Sequence, residues 1–241
     1  MSYIWKVVIM SICAYFIGSI TFARIIAKKR GDDITTHGSG NPGTTNMMRT
    51  HGAKRGFITF ALDFLKGFIV ALVAYLVCGG WSEGWESFIF GGFNGNWQSN
   101  LALYIVGISA VLGHIYPVIF RFKGGKGVAT GAGVVAVANP IILVSLVVLY
   151  WVILYFVKIA GSIMSLGASI IFTIIETTML CIYGYYYSLI PLYIMLILIV
   201  WAHRANIKRI LARSESKMDL KAAFEKDKEE KLKREKEKLN K

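Results

Sequence analysis

The sequence is short of the residues that build metal centres and disulfides. Its three cysteines, Cys13, Cys78 and Cys181, lie in apolar segments with no CxxC pair. They form neither a disulfide framework nor a zinc site, and read as small hydrophobes within packed helices. There are only four histidines, His37, His51, His114 and His203, and neither they nor the carboxylates show ligand spacing. No metal and no cofactor is expected. Negative charge is scarce too: 14 Asp and Glu stand against 27 Lys and Arg, for a net charge of +13. The cations fall in loops and in the tail, not along a face rich in exposed aromatics, which argues against nucleic acid as a partner. Basic loops of this kind set membrane topology and touch anionic lipid. No internal repeat marks a transporter built by duplication. The N-terminal apolar run continues to Arg24 without a small-residue cleavage site, so it reads as a retained helix.

What is abundant is apolar sequence. Hydrophobic residues make up 55% of the 241 positions, and several runs reach the roughly 18–20 residues needed to cross hydrocarbon. The fold class expected is an all-α polytopic membrane protein. The first span covers about residues 3–27 and ends in Lys28-Lys29-Arg30. The second runs from about Phe57 to Cys78, and the third from about Leu101 to Phe120. The loop 28–56 and the segment after Phe120 carry Lys and Arg; the loop 79–100 carries none, but contains Trp81, Trp85 and Trp97. The positive-inside rule then puts the N-terminus outside and the basic loops in the cytoplasm. A cytoplasmic tail requires an even number of crossings after Lys126. The apolar stretch 128–157 satisfies this if it breaks at Asn139-Pro140, because proline removes a helix hydrogen bond and restricts its predecessor. Residues 128–138 become a short half-helix, later spans run over about 162–182 and 185–202, and the total is a seven-helix bundle. Residues 214–241 form a Lys/Glu-rich cytoplasmic tail outside the 1–213 membrane domain, read as a solvated segment, either a charged helix or disordered.

Three polar islands share the cytoplasmic face. The first is Ser39-Gly40-Asn41-Pro42-Gly43-Thr44-Thr45-Asn46 followed by Arg49. Small residues let backbone N–H groups approach an anion, and the arginine supplies charge. The second is Gly113-His114-Ile115-Tyr116-Pro117 with Lys123-Gly124-Gly125-Lys126-Gly127, a glycine-rich loop entering a helix N-terminus, which is an anion-binding device. It is not a Walker A loop, since Gly127 rather than Ser or Thr follows Lys126. The third is His203 to Arg209. The topology also brings Ser162 and Ser165 to this side. Inside the second span, Asp63 and Lys66 are read as structural charges facing the bundle interior, where they can pair with each other or with a loop arginine. Glu176 in the sixth span has no partner legible in the sequence.

SGNPGTTNMMR, GHIYPVIFRFKGGKGVAT and HRANIKRIL closely resemble the three signature motifs of the bacterial PlsY family of glycerol-3-phosphate acyltransferases, over residues 3–213. The resemblance implies a seven-span enzyme of the bacterial cytoplasmic membrane, with its N-terminus outside. It implies transfer of a fatty acyl group from acyl phosphate to the 1-hydroxyl of sn-glycerol 3-phosphate, giving lysophosphatidic acid and inorganic phosphate. An upstream enzyme forming acyl phosphate is then an implied partner. On the same footing Ser39, His203 and Asn206 belong to the catalytic centre. Gly40, Asn41, Gly43, Thr45, Asn46, Arg49, Lys123, Gly124, Gly125, Lys126, Gly127 and Ser165 match positions that hold the substrates. His203 either removes the hydroxyl proton or orients the hydroxyl while the donor's own phosphate accepts the proton.

The chain departs from the family pattern in three places, one of them the Lys/Glu-rich tail that extends beyond the family core. The loop 79–100 is longer than expected, and Ser214-Glu215-Ser216-Lys217 replaces a glycine-containing turn before a glutamate, which weakens any role for Glu215. Acyltransferases using acyl-CoA or acyl carrier protein carry a His followed five residues later by Asp, and none of the four histidines does. CDP-alcohol phosphotransferases need closely spaced aspartates that this chain lacks. A small anion transporter would place its polar residues near the bilayer midplane, whereas these islands lie at one surface.

Overall fold

A computed structural model describes residues 1–80 and 97–239. Among them the regular structure is entirely helical. The first span is two helices: α1 (Tyr3–Gly18) and α2 (Phe22–Lys28) are separated at Ser19–Thr21. The break is held by Lys66, whose ammonium donates to the carbonyls of Gly18 and Ile20 at 3.0 and 2.9 Å. The first polar island lies between α2 and α3 (Thr44–His51), and α4 (Ala53–Val77) follows directly. Helix α5 (Trp97–Ile115) starts earlier than expected, taking in Trp97 to Asn100. Residues 81–96 of the long loop, including Trp81 and Trp85, lie outside the described residues. Helices α6 (Val128–Ala138) and α7 (Pro140–Phe156) meet at Asn139, so the break expected at Asn139-Pro140 is present. Then come α8 (Gly161–Ile182), α9 (Leu189–Ala202), α10 (Arg204–Leu211) and α11 (Leu220–Leu239).

Among the described residues, four helical stretches are long and apolar enough to cross a membrane unaided: Tyr3–Lys28, Ala53–Val77, Trp97–Phe120 and Gly161–Ile182. A fifth joins Tyr186–Ala202 to Arg204–Leu211 across a 58° bend. Helices α6 and α7 have 11 and 17 residues. At a rise of about 1.5 Å per residue, α6 reaches about half the hydrocarbon depth. Among the described residues, length and composition thus give four or five candidate spans; the seven expected would need α6 and α7 as two further elements.

Two close helix crossings build the core. A Cβ on Gly113 of α5 would lie 2.1 Å from the Tyr15 carbonyl of α1, and one on Gly133 of α6 would lie 2.0 Å from the Phe64 carbonyl of α4. Backbone approaches backbone there, which is how helices pack when lipid offers no hydrophobic penalty. These crossings seat α6 against α4, with its glycine-rich entry at the end of α5. Asp63 and Lys66 do pair, at 2.8 Å, and Lys66 also meets His114 Nδ1 at 2.8 Å. Glu176 accepts a hydrogen bond from the Tyr104 hydroxyl.

The tail departs from the solvated segment expected. Met218, Leu220 and Ala223 are buried against Met48, Ala53 and Leu154, and α11 lies along α3 and α4. The cause is a small apolar face at the start of a charged helix, which the overall Lys/Glu composition conceals.

Candidate active site at one end of the bundle

The first island is folded around one amide. Asn46, buried in α3, accepts from the Ser39 N–H at 2.9 Å and donates to the carbonyls of Ile34 and His37 at 3.2 and 3.0 Å. With both ends engaged, its side chain shapes the loop. Gly38 fits because a Cβ there would lie 2.2 Å from Asn46 Oδ1, and its φ is +58°. The loop presents Ser39, Asn41, Gly43, Thr45 and Arg49 to a cavity.

The second island differs from expectation. The N–H groups of Gly124 and Gly125 donate to the carbonyls of Ile115 and His114 at 3.1 and 3.0 Å, so they finish α5 instead of facing an anion. These glycines allow close packing: a Cβ on Gly125 would sit 2.1 Å from His114 Nε2, and Gly125 lines neither cavity described here. Lys126 and the α6 N-terminus at Gly127 face the cavity. An α-helix leaves its first N–H groups without intrahelical partners, so this end retains an attraction for anions.

The third island completes the wall. His203 Nδ1 lies 2.8 Å from the Ile199 carbonyl. A carbonyl only accepts, so Nδ1 carries the proton and Nε2 the lone pair. Glu215 accepts hydrogen bonds from Asn206 Nδ2 at 2.6 Å, Ser162 Oγ at 2.7 Å and Arg209 Nε at 2.6 Å. Glu215 is therefore the hub that ties α8, α10 and the start of the tail. Burial pushes its carboxyl up, but hydrogen bonds from Arg209, Ser162 and Asn206 outweigh this and hold it below the usual range. The sequence signal for Glu215 was present only as a carboxylate shortly after a basic helix, and its unusual flanks argued the wrong way.

Two cavities meet at Ser39, Asn41, Lys126 and Asn206. One continues from Ser165 between α6, α7, α8 and α9 past Ala132, Leu146, Ala168 and Met195, an apolar channel. The other is basic: Arg24, Lys123 and Arg209 line it together with Gly40 and Gly124. Arg24 was not singled out in the sequence. Its guanidinium donates to the Lys123 carbonyl at 3.0 Å and lies over the Phe120 ring, which fixes its charge at the cavity wall. Burial lowers the Lys126 pKa to about 8; Glu215 opposes the shift, and Arg209 and Arg49 add to it. Burial likewise lowers Arg49, opposed by Glu215. His203 is brought to about 4 by burial and by Lys126, so its ring is neutral near pH 7.

A family model described as glycerol-3-phosphate acyltransferase matches residues 8–213. The chain belongs to the glycerol-3-phosphate acyltransferase family. It is 41% identical over 212 residues to a glycerol-3-phosphate acyltransferase of Aquifex aeolicus, covering 87% of this chain and 98% of that relative. It is 34% identical over 217 residues to one of Bacillus subtilis, covering 88% and 97%. Among solved structures it resembles PlsY, an integral membrane glycerol 3-phosphate acyltransferase, in its glycerol 3-phosphate form, with a TM-score of 0.72 and 37% identity over 91% of this chain and 99% of that one. The lysophosphatidic acid form gives a TM-score of 0.69 over 91% and 98%. Like that family, the chain is an integral, multi-pass membrane protein. The family match stops at residue 213, before Glu215 and the docked tail.

Proposed function

We propose that the chain transfers a fatty acyl group from acyl phosphate to the 1-hydroxyl of sn-glycerol 3-phosphate, releasing lysophosphatidic acid and inorganic phosphate. The observation that carries this reading is the junction of an apolar channel with a basic cavity at Lys126 and Asn206. One suits an acyl chain, the other a small phosphate ester, and the reacting carbonyl belongs where they meet. The relatives' names, and the glycerol 3-phosphate and lysophosphatidic acid forms of the similar structure, support the acceptor and the product.

In this reading Arg49, Lys126 and Arg209 hold phosphate charge, with arginine as a planar fork and lysine as a point charge. The acceptor hydroxyl attacks the acyl carbonyl carbon, and the carbon–oxygen bond to phosphate breaks. His203 Nε2 accepts the hydroxyl's hydrogen bond and orients it. With a pKa of about 4 the ring is a weak base, so the departing phosphate, a stronger one, carries the proton away. Ser39 and Asn206 supply donors beside the carbonyl oxygen as charge develops on it. Ser165 and Thr45 line the channel's polar mouth.

The site faces the cytoplasm of a bacterial cytoplasmic membrane in this account. The basic loops lie inside, the N-terminus lies outside, and α6 with α7 acts as a broken pair that completes a seven-helix topology. Donor supply then requires an upstream enzyme that forms acyl phosphate.

The test is stoichiometry in lipid vesicles. Purified protein given acyl phosphate and glycerol 3-phosphate should release one phosphate per lysophosphatidate formed. Phosphate release that ignores the acceptor would make the protein a hydrolase, and uptake of glycerol phosphate without product would make it a transporter.

A further inference from the structure

The C-terminal segment lies beyond the family match, yet it grips Arg49 from two sides. The Ser216 carbonyl accepts from the Arg49 guanidinium at 3.4 Å. Lys226 Nζ donates to the Arg49 carbonyl at 2.6 Å. That carbonyl is in the last turn of α3, where intrahelical partners run out and a cation is favoured. The neighbouring Asp227 accepts from the Lys54 N–H at 2.7 Å, in the first turn of α4. A carboxylate is favoured at that end.

Two adjacent residues of α11 therefore hold both sides of the joint at Gly52. Gly52 itself has φ +92°, and a Cβ there would lie 2.2 Å from Asp227 Oδ1. One turn further on, Glu230 lies 2.7 Å from Arg55 and 3.0 Å from Arg30. Met218, Leu220 and Ala223 provide the apolar seat. Helix α3 has eight residues, too few to be stable on its own in water, so its direction depends on what packs against it.

We propose that helix Leu220–Leu239 is a clamp that positions Arg49 for the acceptor's phosphate, with Lys226 and Asp227 as its positioning residues. The inference rests on the reading of Arg49 as a phosphate-binding group. Isolated surface ion pairs contribute little to stability. These contacts converge on a single joint and on the carbonyl of the residue whose side chain faces the site.

The experiment uses the full chain in lipid vesicles, with Lys226→Met, Asp227→Asn, the double variant and Lys226→Arg, beside Arg49→Ala. The double variant is expected to raise KM for glycerol 3-phosphate about five- to tenfold, since misplacing a positioned group by an ångström costs up to about a hundredfold. KM for acyl phosphate should stay put, kcat should change less than about twofold, and Lys226→Arg should recover most of the loss. If Arg49→Ala raises the acceptor KM and the tail variants do not, the clamp is wrong while Arg49 keeps its role. If Arg49→Ala leaves that KM unchanged, the reading of Arg49 is wrong. A loss confined to the amount of folded protein, with both KM values at wild type, also overturns the clamp. Should the double variant not fold, the isosteric Asp227→Asn carries the test.

Discussion

Lys126 lines both cavities, and burial holds its pKa at about 8. An ordinary lysine stays charged to about pH 10.4. With a pKa of about 8, roughly nine in ten Lys126 side chains carry charge at pH 7 and roughly one in ten at pH 9. On the proposed role of Lys126 the charged form binds phosphate, so kcat/KM for glycerol 3-phosphate should hold to about pH 7.5 and then fall about tenfold per unit above pH 8, reporting the free enzyme. Initial rates of phosphate release between pH 6 and about 10, corrected for uncatalysed hydrolysis, measure this directly. Lys126→Arg is expected to be slower at pH 7, because a fork replaces a point charge, yet its alkaline limb should move beyond pH 10, where guanidinium stays charged. Glu215→Gln removes a carboxylate that raises Lys126, so the wild-type limb should move to lower pH. A flat wild-type profile to pH 10, or an Arg variant with its limb still near pH 8, refutes the assignment.

Further outcomes follow from single contacts. Glu215→Gln retains its shape but turns an amide toward Arg209, losing one charge-assisted bond; turnover should drop at least about tenfold, with stability lower by about 1–2 kcal/mol in thermal unfolding. His203 titrates near 4 in the folded chain against an ordinary 6.5. The unfolded chain binds the extra proton between these values, so stability should fall as pH drops from about 6.5 to 4, and His203→Gln should flatten that part of the curve. Gly133→Val places a side chain 2.0 Å from the Phe64 carbonyl and should cost about 3 kcal/mol or more, because backbone cannot move aside as a side chain can. Ala168→Phe partly fills the apolar channel and should shift preference toward shorter acyl phosphates in a competition assay, with KM for glycerol 3-phosphate unchanged.

What the sequence disclosed was whatever depends on local composition. The apolar runs gave helix positions to within a few residues, and Pro140 marked the break after α6. The motif strings single out Ser39, Arg49, Lys126, His203 and Asn206, the topology adds Ser165, and all six line one cavity. What it concealed depends on distant pairing. The split of the first span rests on Lys66 reaching carbonyls 46 and 48 positions away. The roles of Gly124 and Gly125 looked like anion binding, because a glycine-rich loop before a helix is the same string whether its amides face a ligand or close the preceding helix. Glu215 was discounted on its flanking residues, although three donors from two other helices meet on it. Arg24 sat inside an apolar run, with nothing nearby in the chain to show that it borders a basic cavity.

The central claim is that an acyl phosphate, not a thioester, donates to glycerol 3-phosphate at the junction of the two cavities. Purified protein in lipid vesicles, given glycerol 3-phosphate with equal amounts of acyl phosphate, acyl-CoA or acyl carrier protein of one chain length, tests it most directly. The account predicts lysophosphatidate from acyl phosphate alone, and its loss in Lys126→Met. Lysophosphatidate formed from a thioester but not from acyl phosphate would contradict it.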